Sequence, residues 1–474
     1  MLFSSFLFLF WFLPLTLLLY FLLPACLSRV CGGRMGRGAQ LFLRNVILLV
    51  ASLLFYGWGE PLYVLLMLGT VAADFFFGLW LARSRRPQAV LWLAVLFNLG
   101  LLFYFKYAAF FGGLLGISLS APRMPLGISF YTFQALSYVV DVYYGRVRAA
   151  RDPIAFGAYV ALFPQLIAGP IVRYSDVATE LESRRHSVRD AASGARRFIA
   201  GLTKKMLIAN PAGALFAVLA AKPAGELFAT GAWLALVAFA IQIYFDFSGY
   251  SDMAVGLGRI FGFSFPENFN YPYTAVSFTD FWRRWHITLS GFFKEYVYIP
   301  LGGNRRGVFR TVINLFVVWF LTGLWHGAAW NFILWGLYYL VLLLAEKFLL
   351  ARFLPHVPRP LRHTLTLLGI LFGWLLFVFD GSSNYLTLSA LGSFFGTLFG
   401  RNGLLGGNEL YELVRHLPLL AIAALGATPV PRTAYRALVQ KRAVLAVLLP
   451  VLALFLSLAY LADATYNPFL YFRF

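Results

Sequence analysis

The chain has 474 residues, of which 61% are hydrophobic and only 12% charged, and its mean hydropathy is +0.75. A soluble globular domain carries about twice that share of charge, so an ordinary water-facing fold is excluded. The net charge of +20 lies mostly in short Arg- and Lys-bearing loops between apolar runs, the distribution that the positive-inside rule gives a membrane protein rather than a nucleic-acid binder. Two cysteines, Cys26 and Cys31, are too few for a disulfide framework or a metal site. No long hydrophilic stretch is available for a separate soluble domain. The expectation is therefore a single membrane domain over residues 1–474, ending in a short aromatic tail at about 462–474.

The first apolar run, Phe3–Leu23, has no basic residue before it and is longer than the core of a signal peptide. The cations Arg29, Arg34, Arg37 and Arg44 follow it, which predicts an external N-terminus. Further spans are predicted at Leu41–Trp58, Leu62–Ala82, Ala89–Phe111 and Pro125–Tyr144, with basic loops at Arg83–Arg86 and Arg146–Arg151 inside. Ile154–Ile171 breaks the pattern. It is apolar but has cations on both flanks, and it contains Pro164 and Gly169-Pro170. It reads as a re-entrant segment, which requires surrounding protein or a watered cavity. Met206–Leu219, Gly231–Phe245, Thr364–Phe379, Tyr385–Phe399, a short Leu413–Gly426 and Ala443–Leu461 complete the spans. The basic loop Arg432–Arg442 falls inside and the tail outside. No internal repeat is visible, which weighs against an inverted-repeat transporter.

Two stretches carry chemistry. In Ser277–Tyr296, the residues Phe281, Trp282, Trp285, Leu289 and Phe292 recur at helical spacing, with Arg283, Arg284 and Lys294 opposite. This predicts an amphipathic interfacial helix with His286 at the edge of its apolar stripe, serving either as a headgroup contact or as a functional group. The run Thr311–Ala345 holds 35 residues without Asp, Glu, Lys or Arg and is basic on both flanks. The chain must therefore enter and return, turning near Thr322–Ala329. That places His326 deep in the protein, as a functional group by default or as a histidine bonded to a carbonyl. Asp74, Asp141, Asp246 and Asp252 are expected to be paired and structural. Arg305-Arg306, after Gly302-Gly303-Asn304, could hold a phosphate-bearing donor or face anionic lipid. No Walker loop, Gly-x-Ser-x-Gly elbow or His-Glu-x-x-His is present. A deep histidine without a nearby Ser or Cys points to general-base catalysis on a hydroxyl.

His286 and His326, 40 residues apart, resemble the two signature histidines of the membrane-bound O-acyltransferases. The bacterial alginate O-acetylase branch is resembled by Met124–Phe130, Ala168–Ile171, Ser248–Ala254, Pro266–Tyr273, Phe281–Ser290, Tyr298–Asn304 and Leu324–Gly327. The resemblance implies an all-α polytopic fold, a ring of roughly 11 transmembrane helices with re-entrant and interfacial helices around a central tunnel. It implies that His326 and His286 are catalytic and that acetyl-CoA is the donor, with no bound cofactor or metal. Arg283, Arg284, Arg305 and Arg306 are candidates to meet the donor. The resemblance also implies an extracytoplasmic O-acetyltransferase partner, a polysaccharide acceptor and a bacterial plasma-membrane location. Tyr471, in the aromatic tail, is the expected acyl relay, because its phenol ionises near 10 and its ester has a good leaving group. Three rivals remain: D-alanyl transfer to teichoic acid, a transporter, and a non-enzymatic scaffold of a polymer-export complex.

Overall fold

Long apolar runs become helices because a bilayer offers backbone N–H and C=O groups no partners, and a helix satisfies them within one segment. The structure is a computed structural model that describes the chain except residues 31, 33–34, 121, 168, 224, 379–387 and 464–474. Among the described residues there is helix and no strand. Ten helices among the described residues are long and apolar enough to cross a membrane, or eleven if one bent pair counts as a span. Their outward faces carry bare Trp11, Leu65, Phe76 and Leu96, a surface that lipid solvates and water does not. The protein is a multi-pass membrane protein.

The chain divides into two compact units, Met1–Phe198 with Tyr250–Glu267, and Ile199–Gly249 with Asn268–Phe474. In the first unit, helices Phe8–Val30, Arg37–Gly57, Tyr63–Arg83 and Pro87–Leu114 follow one another. The run expected as a span at Pro125–Tyr144 forms a 16-residue helix, Ile128–Tyr143, buried on nearly every side. It is shorter than the roughly 20 residues that a crossing needs, and it packs against Tyr63–Arg83 and Pro87–Leu102 as a core helix. Gly127, at φ 75°, starts it; a Cβ there would meet the Leu166 carbonyl oxygen at 2.8 Å.

The segment read as re-entrant is broken, as its prolines and glycine required. Helix Pro153–Ala161 ends at Leu162, and a four-residue turn of helix, Phe163–Leu166, follows. Its interrupted backbone is satisfied by buried side chains. Ser52 Oγ accepts from Phe163 N at 3.0 Å, Gln165 Nε2 donates to the Tyr159 carbonyl at 2.6 Å, and Tyr159 Oη donates to that of Val172 at 3.0 Å.

Two expectations are corrected by longer helices. The basic stretch before Met206 is the start of one continuous helix, Val188–Ala220, and the span at Gly231–Phe245 extends to Ala229–Ile260. Both helices carry charge inside because the charges pair. Lys205 meets Asp246 at 2.8 Å with both side chains buried, and Arg197 holds Asp252 at 2.8 Å and also Glu267. Asp141 pairs with Arg146 at 3.1 Å, and Asp74 accepts from Asn98 at 2.7 Å. Each of the four acids thus has a partner, although Asp74 meets an amide and Asp246 a lysine where an arginine or hydroxyl was expected. The stretch expected as a basic loop at Arg432–Arg442 is instead a helix, Val430–Lys441, bent 75° from Gly407–Gly426.

Candidate active site

Both signature histidines lie in the second unit, on two breaks in helical structure. The first break corrects the expected continuous amphipathic helix. Phe278–Trp282 and Ile287–Phe293 are separate short helices, and His286 between them has φ 43°. That left-handed conformation costs a residue with a Cβ about 1–2 kcal/mol, so something must hold it. Asn268 does. Its carbonyl oxygen accepts from Ile287 N at 3.0 Å, while its side-chain Oδ1 receives Thr288 N at 3.3 Å and Thr288 Oγ1 at 2.9 Å. The same Oδ1 lies 3.0 Å from His286 Nδ1. A backbone N–H can only donate, so the atom it meets is the amide oxygen and Nδ1 must carry the proton. The neutral tautomer is fixed, with the lone pair on Nε2. Burial pushes the His286 imidazole down to about 3, so it stays uncharged at neutral pH.

The apolar stripe of the expected helix is real although the helix is broken. Phe281, Trp285, Leu289 and Phe292 are all buried. Ser277 Oγ accepts from Asp280 N at 3.1 Å as an N-cap, and the buried Glu346 carboxylate accepts from Phe278 N and Thr279 N at 2.6 and 3.1 Å. Fixed negative charge at a helix N-terminus is stabilising.

The second break is the turn inside the charge-free run. Helices Gly307–His326 and Trp330–Leu350 are joined by Gly327–Ala329, and His326 is the last residue of the first. The expected entry and return is therefore a hairpin of two helices of spanning length. The helices meet at glycines: a Cβ on Gly323 would strike the Phe332 carbonyl oxygen, and one on Gly336 that of Trp319. Small residues permit this backbone approach in membranes.

His326 is buried among aromatic rings. Trp335 lies edge-on at 5.0 Å and Phe377 at 5.2 Å, with Phe332 beyond. Trp325 joins the two histidines, its ring centroid 5.0 Å from that of His326 and 5.9 Å from that of His286. Phe247 closes the other side of His286 at 4.8 Å. Two imidazoles thus share one indole, among aromatic side chains. Neither Asn268 nor Trp325 was singled out by sequence as a site residue. Asn268 lies in the motif Pro266–Tyr273, but only a contact across 18 residues reveals its task.

The candidate arginines are spread out. Arg284 is tied to Asp280 at 2.7 Å, Arg283 is exposed, and Arg305 and Arg306 lie on an exposed turn. Tyr471 lies outside the described residues. No group of three or more His, Cys, Asp or Glu side chains arranged to hold a metal occurs among the described residues.

The sequence profile of the membrane-bound O-acyltransferases matches residues 3–389. The chain belongs to that family. Its relatives refine the class. It is 42% identical to the probable alginate O-acetylase AlgI of Pseudomonas aeruginosa, over 80% of this chain and 72% of that protein. It is 37% identical to a peptidoglycan O-acetyltransferase of Helicobacter pylori, over 71% and 68%. To a teichoic acid D-alanyltransferase of Bacillus subtilis it is 29% identical, over 47% and 59%. This membrane-bound O-acyltransferase is therefore an enzyme on the acetyltransferase side of the family, with the D-alanyltransferases more distant. The resemblance read from His286, His326 and the surrounding motifs is borne out. The transporter and scaffold readings have no counterpart among these relatives.

Proposed function

We propose that this acyltransferase carries an acetyl group from cytoplasmic acetyl-CoA across the bacterial plasma membrane, for O-acetylation of a polysaccharide outside, with His326 as general base. The observation that carries the proposal is the pair of buried histidines joined by Trp325. His326 sits at the C-terminal end of its helix, where the dipole favours the imidazolium that forms when the ring accepts a proton. An acceptor hydroxyl gives that proton to His326 as its oxygen attacks the thioester carbonyl. The tetrahedral intermediate collapses to the new ester and expels the CoA thiolate, which recovers the proton. His286, fixed neutral with its Nε2 lone pair, orients the donor end of the site. Arg283, Arg305 and Arg306 are placed on exposed surface suited to the donor's phosphates, and Arg284 braces the turn through Asp280. Both termini lie outside. An extracytoplasmic O-acetyltransferase takes the acetyl group onward to the polymer.

Replacing His326 with Ala should remove general-base assistance, typically worth roughly 10²- to 10⁴-fold, while the protein still inserts and accumulates. Unchanged acetylation by that variant would refute the assignment. The tail extends the reading. Tyr471 takes the acetyl group first and passes it on, dividing one hard transfer into two easier ones. Tyr471→Phe should then abolish polysaccharide acetylation without changing abundance. Peptide mass spectrometry should find an acetyl adduct on Tyr471 that accumulates when the outer transferase is deleted; normal acetylation by Tyr471→Phe would leave the tail as a membrane anchor only.

A further inference from the structure

The first unit holds a cluster of cations that the acyl-transfer chemistry does not use. Tyr20 comes from helix Phe8–Val30, Arg44 and Asn45 from Arg37–Gly57, and Arg184 and His186 from the segment before Val188. Phe261 and Phe263 close the cluster after helix Ala229–Ile260. Tyr20 is fully buried, and its hydroxyl donates to the Phe261 carbonyl at 2.8 Å. That uses its single hydrogen, so His186 Nε2, 2.9 Å away, must be the donor to the tyrosine oxygen. His186 Nδ1 is then an acceptor, and Arg44 Nη1 reaches it at 3.4 Å. The histidine is neutral. Burial, then Arg44 and Arg184, push it down to about 4.

The two guanidiniums are therefore not balanced by the histidine, and among the described residues no carboxylate forms an ion pair with either. Arg44 and Arg184 both lie over the Tyr20 ring, 5.7 and 5.8 Å from its centroid, and Arg184 also covers Phe263 at 4.4 Å. The Arg184 side chain is more than nine-tenths buried. Nη2 donates to Asn45 Oδ1 at 2.5 Å, but its Nε and Nη1, like Arg44 Nε, are buried and meet no acceptor. Glu180 acts on Arg184 electrostatically but makes no ion pair with it among the described residues. An uncompensated buried cation is strongly destabilising, and two side by side repel each other.

We propose that Arg44 and Arg184 form a binding site for the phosphate of an anionic phospholipid. A phosphate oxyanion supplies both the acceptors and the charge that the cluster lacks, and Arg is the side chain best matched to it. Arg44 is the movable member: it is only half-buried, and its 3.4 Å contact with His186 is at the long limit of a hydrogen bond. A lipid is favoured over a free anion because the cluster adjoins bare apolar surface. Leu18, Leu19, Leu22 and Leu23 flank Tyr20 on the same helix, and Phe42 precedes Arg44 by two residues; all five are exposed. Cations beside lipid-facing surface attract anionic lipid. The site stands independently of the acyl-transfer reading.

The test uses full-length protein, delipidated in neutral detergent. Native mass spectrometry and thermal-shift titration compare phosphatidylglycerol, phosphatidylcholine, inorganic phosphate and CoA. Phosphatidylglycerol should bind and stabilise in preference to phosphatidylcholine, and Arg44→Gln should weaken that binding at least about tenfold, the loss of one charge-assisted contact. Arg184→Lys, which keeps the charge but not the planar donor set, should weaken it less than Arg44→Gln combined with Arg184→Gln. Equal binding of the two lipids, or an unchanged lipid preference in correctly folded Arg44→Gln, would overturn the site. Stabilisation by inorganic phosphate or CoA with none by phosphatidylglycerol would overturn the lipid as its ligand.

Discussion

At position 268 one amide oxygen takes three hydrogens, from Thr288 N, Thr288 Oγ1 and His286 Nδ1. Removing it leaves the buried His286 donor unmet, at a cost of about 1–3 kcal/mol, and loosens the two part-buried Thr288 contacts that help hold the left-handed turn. Asn268→Ala should therefore lower acetyl transfer and stability together. Asn268→Asp separates positioning from packing: it restores the acceptor but places a carboxylate beside the ring and raises its affinity for a proton. Its activity should fall below neutral pH more steeply than wild type, as Nε2 loses its lone pair. An unaltered pH profile in Asn268→Asp would refute the tautomer assignment. In wild type the sign for stability is fixed by burial. Between about 6.5 and about 3 an unfolded imidazole binds a proton that folded His286 does not. Stability from this group is complete above about 6.5 and declines as pH falls. Thermal unfolding of the detergent-solubilised protein at pH 7.5 and 5.5 contains this contribution together with that of His186, and Asn268→Asp, which alters only the His286 part, should show a smaller difference. His326 stood out as a titratable group in a charge-free run, whereas His286, at the edge of an apolar stripe beside Arg283 and Arg284, was singled out by the family resemblance. Asn268 was not, because its role depends on pairing between two irregular segments that no periodicity marks.

The helices divide into those that sequence defines and those that packing defines. Lipid-facing helices follow hydropathy, since the bilayer acts on each alone, and Leu62–Ala82 lies almost where Tyr63–Arg83 is found. Inside, the rule weakens. Val188–Ala220 extends through cations because Lys205 finds the buried Asp246 and Arg197 the part-buried Asp252, and a charge count cannot foresee its own cancellation. The amphipathic stretch broke at His286 because Asn268 stabilises a conformation that helix spacing cannot encode. The hairpin around His326 was legible for a different reason: 35 charge-free residues with basic flanks leave a turn as the simplest path. Its precision rests on Gly323 and Gly336, where any side chain meets backbone. Gly336→Val should push the two helices apart and displace His326, lowering thermal stability in detergent and cutting acetyl transfer at least tenfold. A variant as stable and active as wild type would show that the crossing does not position the base.

For the whole molecule, family membership and many spans establish a membrane O-acyltransferase, while the proposed orientation rests on charge asymmetry alone. If the turn Leu301–Arg306 faces the cytoplasm, a single cysteine at exposed Asn304, in a chain lacking Cys26 and Cys31, should resist impermeant reagents in intact cells and label after permeabilisation. Labelling from outside would reverse the proposed direction of transfer. The most direct test of the account is a donor competition with purified enzyme. Wild-type protein and His326→Ala are each given radiolabelled acetyl-CoA or a D-alanyl-loaded carrier protein, together with the outer transferase and polysaccharide. Label should pass from acetyl-CoA to the polymer with wild-type enzyme, and His326→Ala should lose that transfer by roughly 10²-fold or more. Transfer from the D-alanyl carrier alone, or equal acetyl transfer by His326→Ala, would contradict it.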